Sequence, residues 1–456
     1  MKLKFDFNKK KKNIYLRPAC QTELSAGGPV KYPSIEINMN LTYRELLSTN
    51  RNFRNLLAGQ FVSEMGNWFN FIAGLGLVRL VSDASPSAAG ILFVCRLLPF
   101  ALFSPFAGTF VDRFSRRTVM IVSDLVRVAL ALMFLLVRKP DDLWIAYLAT
   151  VLLSTFGAFF DGAKNAATPN LTGKDGLLAG TALMFSTRFL LMAIGSALGG
   201  WAAAIFGYEV AFVINAVSFL FSAVSVWLIP DEAVREPETA IREDRPSFFF
   251  ELAEGMKYAV GNRFALTILI MNVIWATGGG MINIVFERMG GVHFAHTGGW
   301  NPDVAVALLW TVSGLGLFTG MMIAHRTAVV LERRGSQRSF VGWTLIIHGV
   351  IFALAGVMPG LILFLVLTYV SRAIVGVEYA VQETMFQRSL PDFIRGRIST
   401  LDRGAEITMF SLSSYVGSLA IYEISPQMLT VISGLLAGTA GLVWFARTDD
   451  AEMQTL

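Results

Sequence analysis

Charge is scarce in this chain and cysteine almost absent. Only 16% of its 456 residues are Asp, Glu, Lys or Arg, 54% are hydrophobic, and the mean hydropathy is +0.55. A soluble globular protein needs a more charged surface than this, so the expected solvent is a lipid bilayer. The two cysteines, Cys20 in a polar stretch and Cys95 in an apolar run, supply neither a disulfide framework nor metal-ligand spacing. His293 and His296 stand three residues apart without a neighbouring Cys or Asp, which is too few ligands for a metal site. There is no phosphate-cradling Gly-Lys-Ser/Thr loop and no nucleophile and base at motif spacing, so neither ATP drive, cofactor nor enzyme chemistry is expected. No apolar segment follows Lys9 to Lys12 as a secretory signal requires. Residues 1–52 read as a cytoplasmic tail, whose lysines can hold anionic lipid at about 1 kcal/mol each.

What the chain does have is long apolar runs. A hydrocarbon core of roughly 30 Å takes about 20 helical residues, and runs of that size fall near 55–81, 87–110, 118–137, 143–166, 177–206 and 209–229. After a polar stretch they resume near 263–287, 303–325, 339–358, 360–386, 401–424 and 426–446. The expected fold is an all-α polytopic membrane protein of twelve transmembrane helices in two pseudo-symmetric six-helix halves. Its parts are a tail to residue 52, a bundle over 53–229, a cytoplasmic linker over 230–262, a second bundle over 263–446 and a tail over 447–456. Within the linker Phe248, Leu252, Met256 and Ala259 recur at helical spacing behind Ser247, which predicts an amphipathic helix leading into the seventh span.

The net charge of +5 comes from basic residues gathered in alternate short loops, a topology signal rather than a nucleic-acid footprint. Arg113, Arg116 and Arg117, then Arg326, Arg333, Arg334 and Arg338, then Arg388, Arg395 and Arg397 all fall in loops of one parity. The opposite loops hold little beyond Arg138, Lys139 and Arg288. By the positive-inside rule both termini are cytoplasmic. The halves also echo each other: Arg54 with Arg263, Gly108 with Gly320, and Pro169-Asn170 with Pro391-Asp392, as parallel repeats would.

The densest polar knot is Gly108-Thr109-Phe110-Val111-Asp112-Arg113-Phe114-Ser115-Arg116-Arg117. It resembles the pattern G-x-x-x-D-R-x-G-R-R/K between the second and third helices of major facilitator superfamily transporters, with Ser115 in place of glycine. The stretches Arg96-Leu97-Leu98-Pro99, Ser123 to Arg127, Asp161 to Pro169 and Glu251 to Tyr258 resemble the branch holding macrolide-efflux proteins and enterobactin exporters. The likeness runs from about Leu41 to Arg447, and Met39 opens a start more like that of the family than Met1 does. In that family the loop's Asp lies against the start of the eleventh helix. The resemblance therefore implies that Asp112 meets a helix beginning near Ser399 to Leu401, while Arg116 or Arg113 pairs with Asp124 or Asp161. Gly108, Asp112, Arg113, Arg116, Arg117, Asp124, Arg127 and Asp161 would then form a cytoplasmic gate. Gly195, Gly199 and Gly200 resemble the exporters' G-P-x-x-G-G motif, with Ser196 replacing proline, and are expected to pack against the eighth span. Gly278 to Gly280 are expected to mark a bending or close-packed point of the seventh.

Ionisable side chains within the bilayer are costly and mark function. Glu64 lies ten residues past Arg54, about 15 Å along a helix and so near mid-membrane. Arg96, Arg188 and Arg372 fall at similar depth, and Asn67, Trp68 and Asn70 flank Glu64. Glu64 is the candidate proton carrier: burial favours its neutral acid and an arginine partner favours its carboxylate, so a proton would switch the pair. A fixed Glu64–Arg96 pair joining the first two spans is the competing reading. The excess of arginine fits an anionic or strongly hydrogen-bonding substrate, with Arg188 and Arg372 as its contacts. The expected function is proton-coupled efflux of a small amphipathic compound by a monomer in a bacterial inner membrane, with substrate, protons and lipid as partners and no nucleic acid. A lipid or lysophospholipid flippase and a non-transporting sensor or scaffold are the alternatives.

Overall fold

In a computed structural model of the chain, residues 41–111, 114–235 and 248–449 are described, and every regular element among them is helical. A short helix α1 (Tyr43–Thr49), closed by the Thr42–Glu45 capping box, precedes α2 (Arg51–Val81), α3 (Pro86–Val111) and α4 (Arg116–Met133). Next come α5 (Leu143–Phe206), α6 (Tyr208–Trp227) and the single turn α7 (Asp231–Val234). The second half comprises α8 (Phe248–Gly261), α9 (Arg263–Arg288), α10 (Phe294–Gly298), α11 (Pro302–Arg334), α12 (Gln337–Gly356), α13 (Leu361–Ser389), α14 (Asp392–Ala420) and α15 (Pro426–Arg447).

The 64 residues of α5 would measure about 96 Å as one rod. They do not run straight, because Gly173 adopts φ 65° and ψ 177°, a conformation that glycine alone takes without steric cost. The chain turns there, so 143–172 and 174–206 are separate limbs and match the fourth and fifth expected spans. Among the described residues ten helical segments are long and apolar enough to cross a membrane. The other two expected spans fall on α2 and α14, which are 31 and 29 residues long but more polar, since they turn polar side chains inward. The outward faces are greasy instead. On α6, Asn215, Ser218 and Ser222 are buried while Val217, Phe221 and Val224 are exposed, the inside-out pattern of a helix whose outer solvent is hydrocarbon.

The basic end of the bundle carries Arg116 and Arg117, and the far end carries the α2–α3 and α9–α11 connections. One hydrophobic core occupies the far end and draws on both halves, from Phe71 and Phe93 to Phe286, Trp310 and Phe364. At the basic end the core is divided. Phe53, Met120, Phe160 and Ile229 form a cluster of the first half alone, and Ile268, Val381, Ile398 and Trp444 one of the second half alone. Across the interface α3 packs on α14 and the second limb of α5 on α11. The halves are thus joined at the far end and part toward the basic end.

Glycine sets how closely the helices approach. A Cβ on Gly320 would lie 2.2 Å from the Ala373 carbonyl of α13, and one on Gly278 2.4 Å from the Ser433 carbonyl of α15. The Gly278–Gly280 run is a close-packed point within an unbroken α9, not a bend. The linker helix α8 differs from its expected face. Gly255 and Ala259 are buried and Met256 is exposed, because α8 docks on α14 through small residues and the ion pair of Glu254 with Arg397. Ser247 lies outside the described residues. Because a Cβ at Gly280 would fall 1.9 Å from Ser413 Oγ, Gly280→Val is expected to lower the unfolding midpoint of the detergent-solubilised protein by an overpacking cost of about 1–3 kcal/mol. An unchanged midpoint would show that α9 and α14 do not pack this tightly.

Candidate functional site

The first-half wall of the interior is set by α2. Glu64, Trp68 and Phe71 recur at i, i+4 and i+7 and share one face, with Asn67 beside them donating its Nδ2 to Glu64 Oε2 at 3.4 Å. Asn70 does not join them. It is buried on the side of Gly66, which lies against Asn215 and Ser218 of α6. The guanidinium of Arg96 on α3 sits over the ring of Phe71 at 4.2 Å and reaches Trp68 at 5.9 Å, so cation–π attraction seats it. Glu64 and Arg188 both lie within electrostatic reach of Arg96, yet Glu64 makes no ion pair among the described residues, and the fixed Glu64–Arg96 pair is absent here. Arg188, exposed on the second limb of α5, also acts on Asp161.

Aromatic rings connect this wall to the second half. Trp310 of α11 packs on Trp68 at 5.6 Å, on Phe71 at 5.1 Å and on Phe286 of α9 at 5.2 Å. Phe286 meets Phe352 of α12 at 6.3 Å, over which Arg372 of α13 sits at 5.5 Å. Arg96 and Arg372 therefore flank one aromatic floor. Arg372 is buried without a hydrogen bond or carboxylate partner among the described residues, and its Nε, Trp68 Nε1 and Trp310 Nε1 are unsatisfied donors. Buried donors without acceptors are costly unless something fills them.

Beyond the floor, at the far end, lies an ion network that sequence reasoning missed. Arg79 at the end of α2 donates to Asp303 at the start of α11, and its Nη1 stands 3.6 Å from Glu287 Oε1 at the end of α9. Arg288 pairs with Glu287 and donates from Nη1 to the Ala84 carbonyl at 2.6 Å, while Tyr208 of α6 donates its hydroxyl to Asp303 at 3.0 Å. Space for it is made by glycine: a Cβ at Gly291 would lie 2.4 Å from Arg79 Nη1, and one at Gly76 2.6 Å from Asp303 Oδ1. Asp83 and Ala84 are held at φ 51° and 55°, a left-handed turn that costs roughly 1–2 kcal/mol per residue and that presents the Ala84 carbonyl to Arg288. A signal was available, since Arg79 and Arg288 are separated by 209 residues, the same offset as Arg54 and Arg263.

The basic-end residues are arranged otherwise than the resemblance implied. Asp112 and Arg113 lie outside the described residues, as does anything attached to the backbone of Gly108. The eleventh span starts at Asp392, so Ser399 to Leu401 are mid-helix and offer no helix terminus for an aspartate to cap. Arg116 Nη1 donates to the carbonyls of Ala166 at 3.0 Å and Val234 at 3.1 Å, and Arg117 donates to that of Trp227. The two carboxylates expected to meet them have partners one turn away on their own helices: Asp124 with Arg127, and Asp161 with Lys164 at 2.5 Å. Arg127 is buried between Phe160 and Phe219, at 4.7 and 4.3 Å from their rings, inside the first half rather than between the halves. Ser115 accepts from Thr118 N to cap α4 and donates to Asp231. That bond holds the Asp231 carboxyl below the usual carboxylate range, against burial and with help from Arg235.

Of the exporter-like glycines, Gly200 lies against Ala307 of α11, the eighth span, whereas Gly195 and Gly199 lie against Trp68 and Phe69 of α2. One residue of helix is a turn of about 100°, enough to change neighbour. His293 is taken by Gln427, whose Nε2 stands 3.0 Å from its ring nitrogens. Among the described residues no group of three or more His, Cys, Asp or Glu gathers as a metal site.

A two-half helical bundle with greasy outer faces, an aromatic floor flanked by two arginines and a sealed far end defines a polytopic membrane transporter. Residues 56–403 match the family model of the Major Facilitator Superfamily, and the chain belongs to that family. It is 23% identical over 405 residues to the Uncharacterized MFS-type transporter YfiS of Bacillus subtilis (strain 168), covering 88% of this chain and 94% of that protein. Macrolide efflux protein A of Streptococcus pyogenes is 22% identical over 405 residues, covering 86% and 91%. Among solved structures a point mutant of the nucleoside transporter NupG superposes with a TM-score of 0.69 at 13% identity, over 87% of this chain and 100% of that one.

Removing one partner of a buried ion pair costs about 3–5 kcal/mol, so Asp303→Asn is expected to open the far end. In a Cys20→Ser, Cys95→Ser background, a cysteine introduced by Asn67→Cys should then react at least about tenfold faster with an impermeant maleimide added from the far side. An unchanged rate would mean that the network does not close that side. The Ser115→Ala variant is expected to lose about 1 kcal/mol of stability at neutral pH. Because the Asp231 carboxyl is depressed, the part of that difference that comes from its bond to Ser115 is present above its ordinary value and is lost as pH falls through the lowered one, leaving the pH-independent part that comes from the α4 cap. A difference that did not shrink at all in strong acid would contradict a contribution from the Ser115–Asp231 bond.

Proposed function

We propose that the protein exports a small amphipathic compound from the cytoplasm across a bacterial inner membrane by alternating access, driven by protons. The observation that carries this reading is the aromatic floor flanked by Arg96 and Arg372, with the unsatisfied donors of Arg372, Trp68 and Trp310 around it. Such a surface suits a ligand with an apolar or aromatic body and an anionic or acceptor-rich edge. The division of the core at the basic end supports entry from that side, and the excess of arginine in the basic-end loops supports a cytoplasmic orientation of that side and of both termini. Efflux draws support from the likeness to macrolide efflux protein A.

In this reading 53–229 and 263–446 are the two moving bundles of a monomer, joined by a linker over 230–262. Glu64 carries a coupling proton beside the floor: its carboxylate acts on Arg96, and protonation would leave Arg96 to its aromatic seat and to the substrate. Opening of the far end then requires the Arg79–Asp303 network to part.

Everted membrane vesicles offered a panel of macrolide, catecholate and cationic dye substrates in the medium provide the test, with and without a proton gradient. Uptake of at least one compound is expected to depend on the gradient. Glu64→Gln should abolish gradient-driven accumulation while sparing downhill exchange, and Arg372→Ala should reduce affinity for acceptor-rich compounds by about tenfold or more, the range of a lost charged hydrogen bond. Full gradient-driven transport by Glu64→Gln would reject the proton assignment, and accumulation of nothing on the panel would reject the efflux reading.

A further inference from the structure

The second half holds buried carboxyl groups that neither the floor nor the far-end network uses. Glu378 of α13 is 3% exposed, makes no hydrogen bond among the described residues and leaves Oε1 without a partner. Among those residues no charged neighbour reaches it from any packed helix; Arg372 acts on His348 of α12 instead. One turn toward the basic end, on the same face, Gln382 donates Nε2 to Asn272 Oδ1 of α9 at 2.9 Å. Asn272 in turn donates Nδ2 to both carboxylate oxygens of Asp402 of α14, at 3.0 Å each. Asp402 is 7% exposed and has no ion pair among the described residues, because Arg403 is engaged with Glu406 at 2.9 Å and the Tyr379 hydroxyl at 3.1 Å. Glu383, within electrostatic reach of Asp402, lines a cavity of about 360 Å³ at the basic end.

These groups form a graded series. Glu383 lines the cavity, Asp402 is buried but accepts from an amide, and Glu378 is buried with no hydrogen bond among the described residues. Burial without a partner disfavours charge on a carboxyl and accepted hydrogen bonds favour it, so carboxyls in such different settings are suited to different roles in proton transfer. We propose that Glu378 is a second proton-carrying site, reached from the basic-end cavity through Asp402 with Asn272 and Gln382 as positioning residues. The proton moves between carboxyl oxygens and cavity water, so each transfer changes the charge on Glu378 by one and nothing is oxidised or reduced. The groups facing this path are Tyr379, Glu383 and Gln382 of α13, Arg403 and Glu406 of α14 and Asn272 of α9. Loss of the proton would leave an uncompensated anion inside the second bundle, on the helix that carries Arg372, and so tie the protonation state to the arrangement of α13 against the floor.

The inference rests on the proton-coupled reading above but names a different carrier. The full-length protein in lipid is titrated from about pH 5 to about pH 9, and two quantities are read. Infrared spectra report the carbonyl stretch of a protonated carboxylic acid. Spin-label distances across the basic end report the access state. The wild type is expected to keep a protonated-acid band at neutral pH and to change its distance distribution with pH. Glu378→Gln should remove the band and abolish the distance change, and Glu378→Asp should shift both rather than remove them. Asp402→Asn, which keeps one oxygen to accept from Asn272 Nδ2 and replaces the other, should slow the response or displace its midpoint by at least one pH unit. If Glu378→Gln keeps the band or the distance change, Glu378 is not a carrier. If the change is instead lost only in Glu64→Gln, the proton-coupled reading stands without this second site. A wild type whose distances ignore pH overturns both.

Discussion

The arrangement depends on Arg79. Its guanidinium is held between carboxylates of two helices from the other half, Asp303 of α11 and Glu287 of α9, and it is the only cation of the first half that closes the far end by an ion pair among the described residues. Charges withdrawn from water are favourable only when their geometry is good and every remaining donor and acceptor is occupied. The surrounding details serve that condition in part: Tyr208 fills the second oxygen of Asp303, Arg288 fills the second oxygen of Glu287, and Gly76 and Gly291 leave the room, while Arg79 Nη1, Glu287 Oε1 and Arg288 Nη2 keep no hydrogen bond among the described residues. With the halves tied there, the common core gathers at the far end and the basic-end cores are left separate.

A seal made of ion pairs has a property that an aliphatic seal lacks. Its closed form is stable as a whole and unstable in part, since losing one member strands the others. That favours two discrete arrangements over a continuum. The aromatic floor lies just inside the seal, with Trp310 in contact with rings of both halves. Any substrate that displaced Trp310 would therefore act on helix α11, whose first turn carries Asp303. The floor and the seal share helix α11.

Much of this was legible in the sequence. The twelve apolar runs, the break between the fourth and fifth of them and the basic loops follow from chain length, hydropathy and charge parity, which are one-dimensional quantities. The nearness of Glu64 to Arg96 was legible too, because counting ten residues from Arg54 puts Glu64 at the level expected for Arg96. Angular position was less so: Asn70 sits at the right depth on the wrong side, and Met256 on the exposed face of α8. Pairing was least legible. Asp124 and Asp161 were expected to receive loop arginines but are satisfied by Arg127 and Lys164 one turn away, a local partner being available at no loop-closure cost. The amide link from Asp402 through Asn272 to Gln382 was hidden because Asn272 and Gln382 are uncharged amides that an inventory of ionisable groups passes over. The Gly108–Arg117 motif identifies the family, but its described part serves to bind α4 to α5 and α7 of its own half.

If the far-end ion network is what holds the halves in this arrangement, distances between spin labels at the two ends of the bundle must respond to it in opposite directions. Double electron–electron resonance on the purified protein in lipid, with one label pair across the far end and one across the basic end, measures both. In the wild type the far-end distribution should be short and narrow and the basic-end distribution longer. Neutralising Arg79 with Arg79→Gln should lengthen the first and shorten the second in the same sample. Distributions that remain unchanged at both ends would contradict a structure governed by that network.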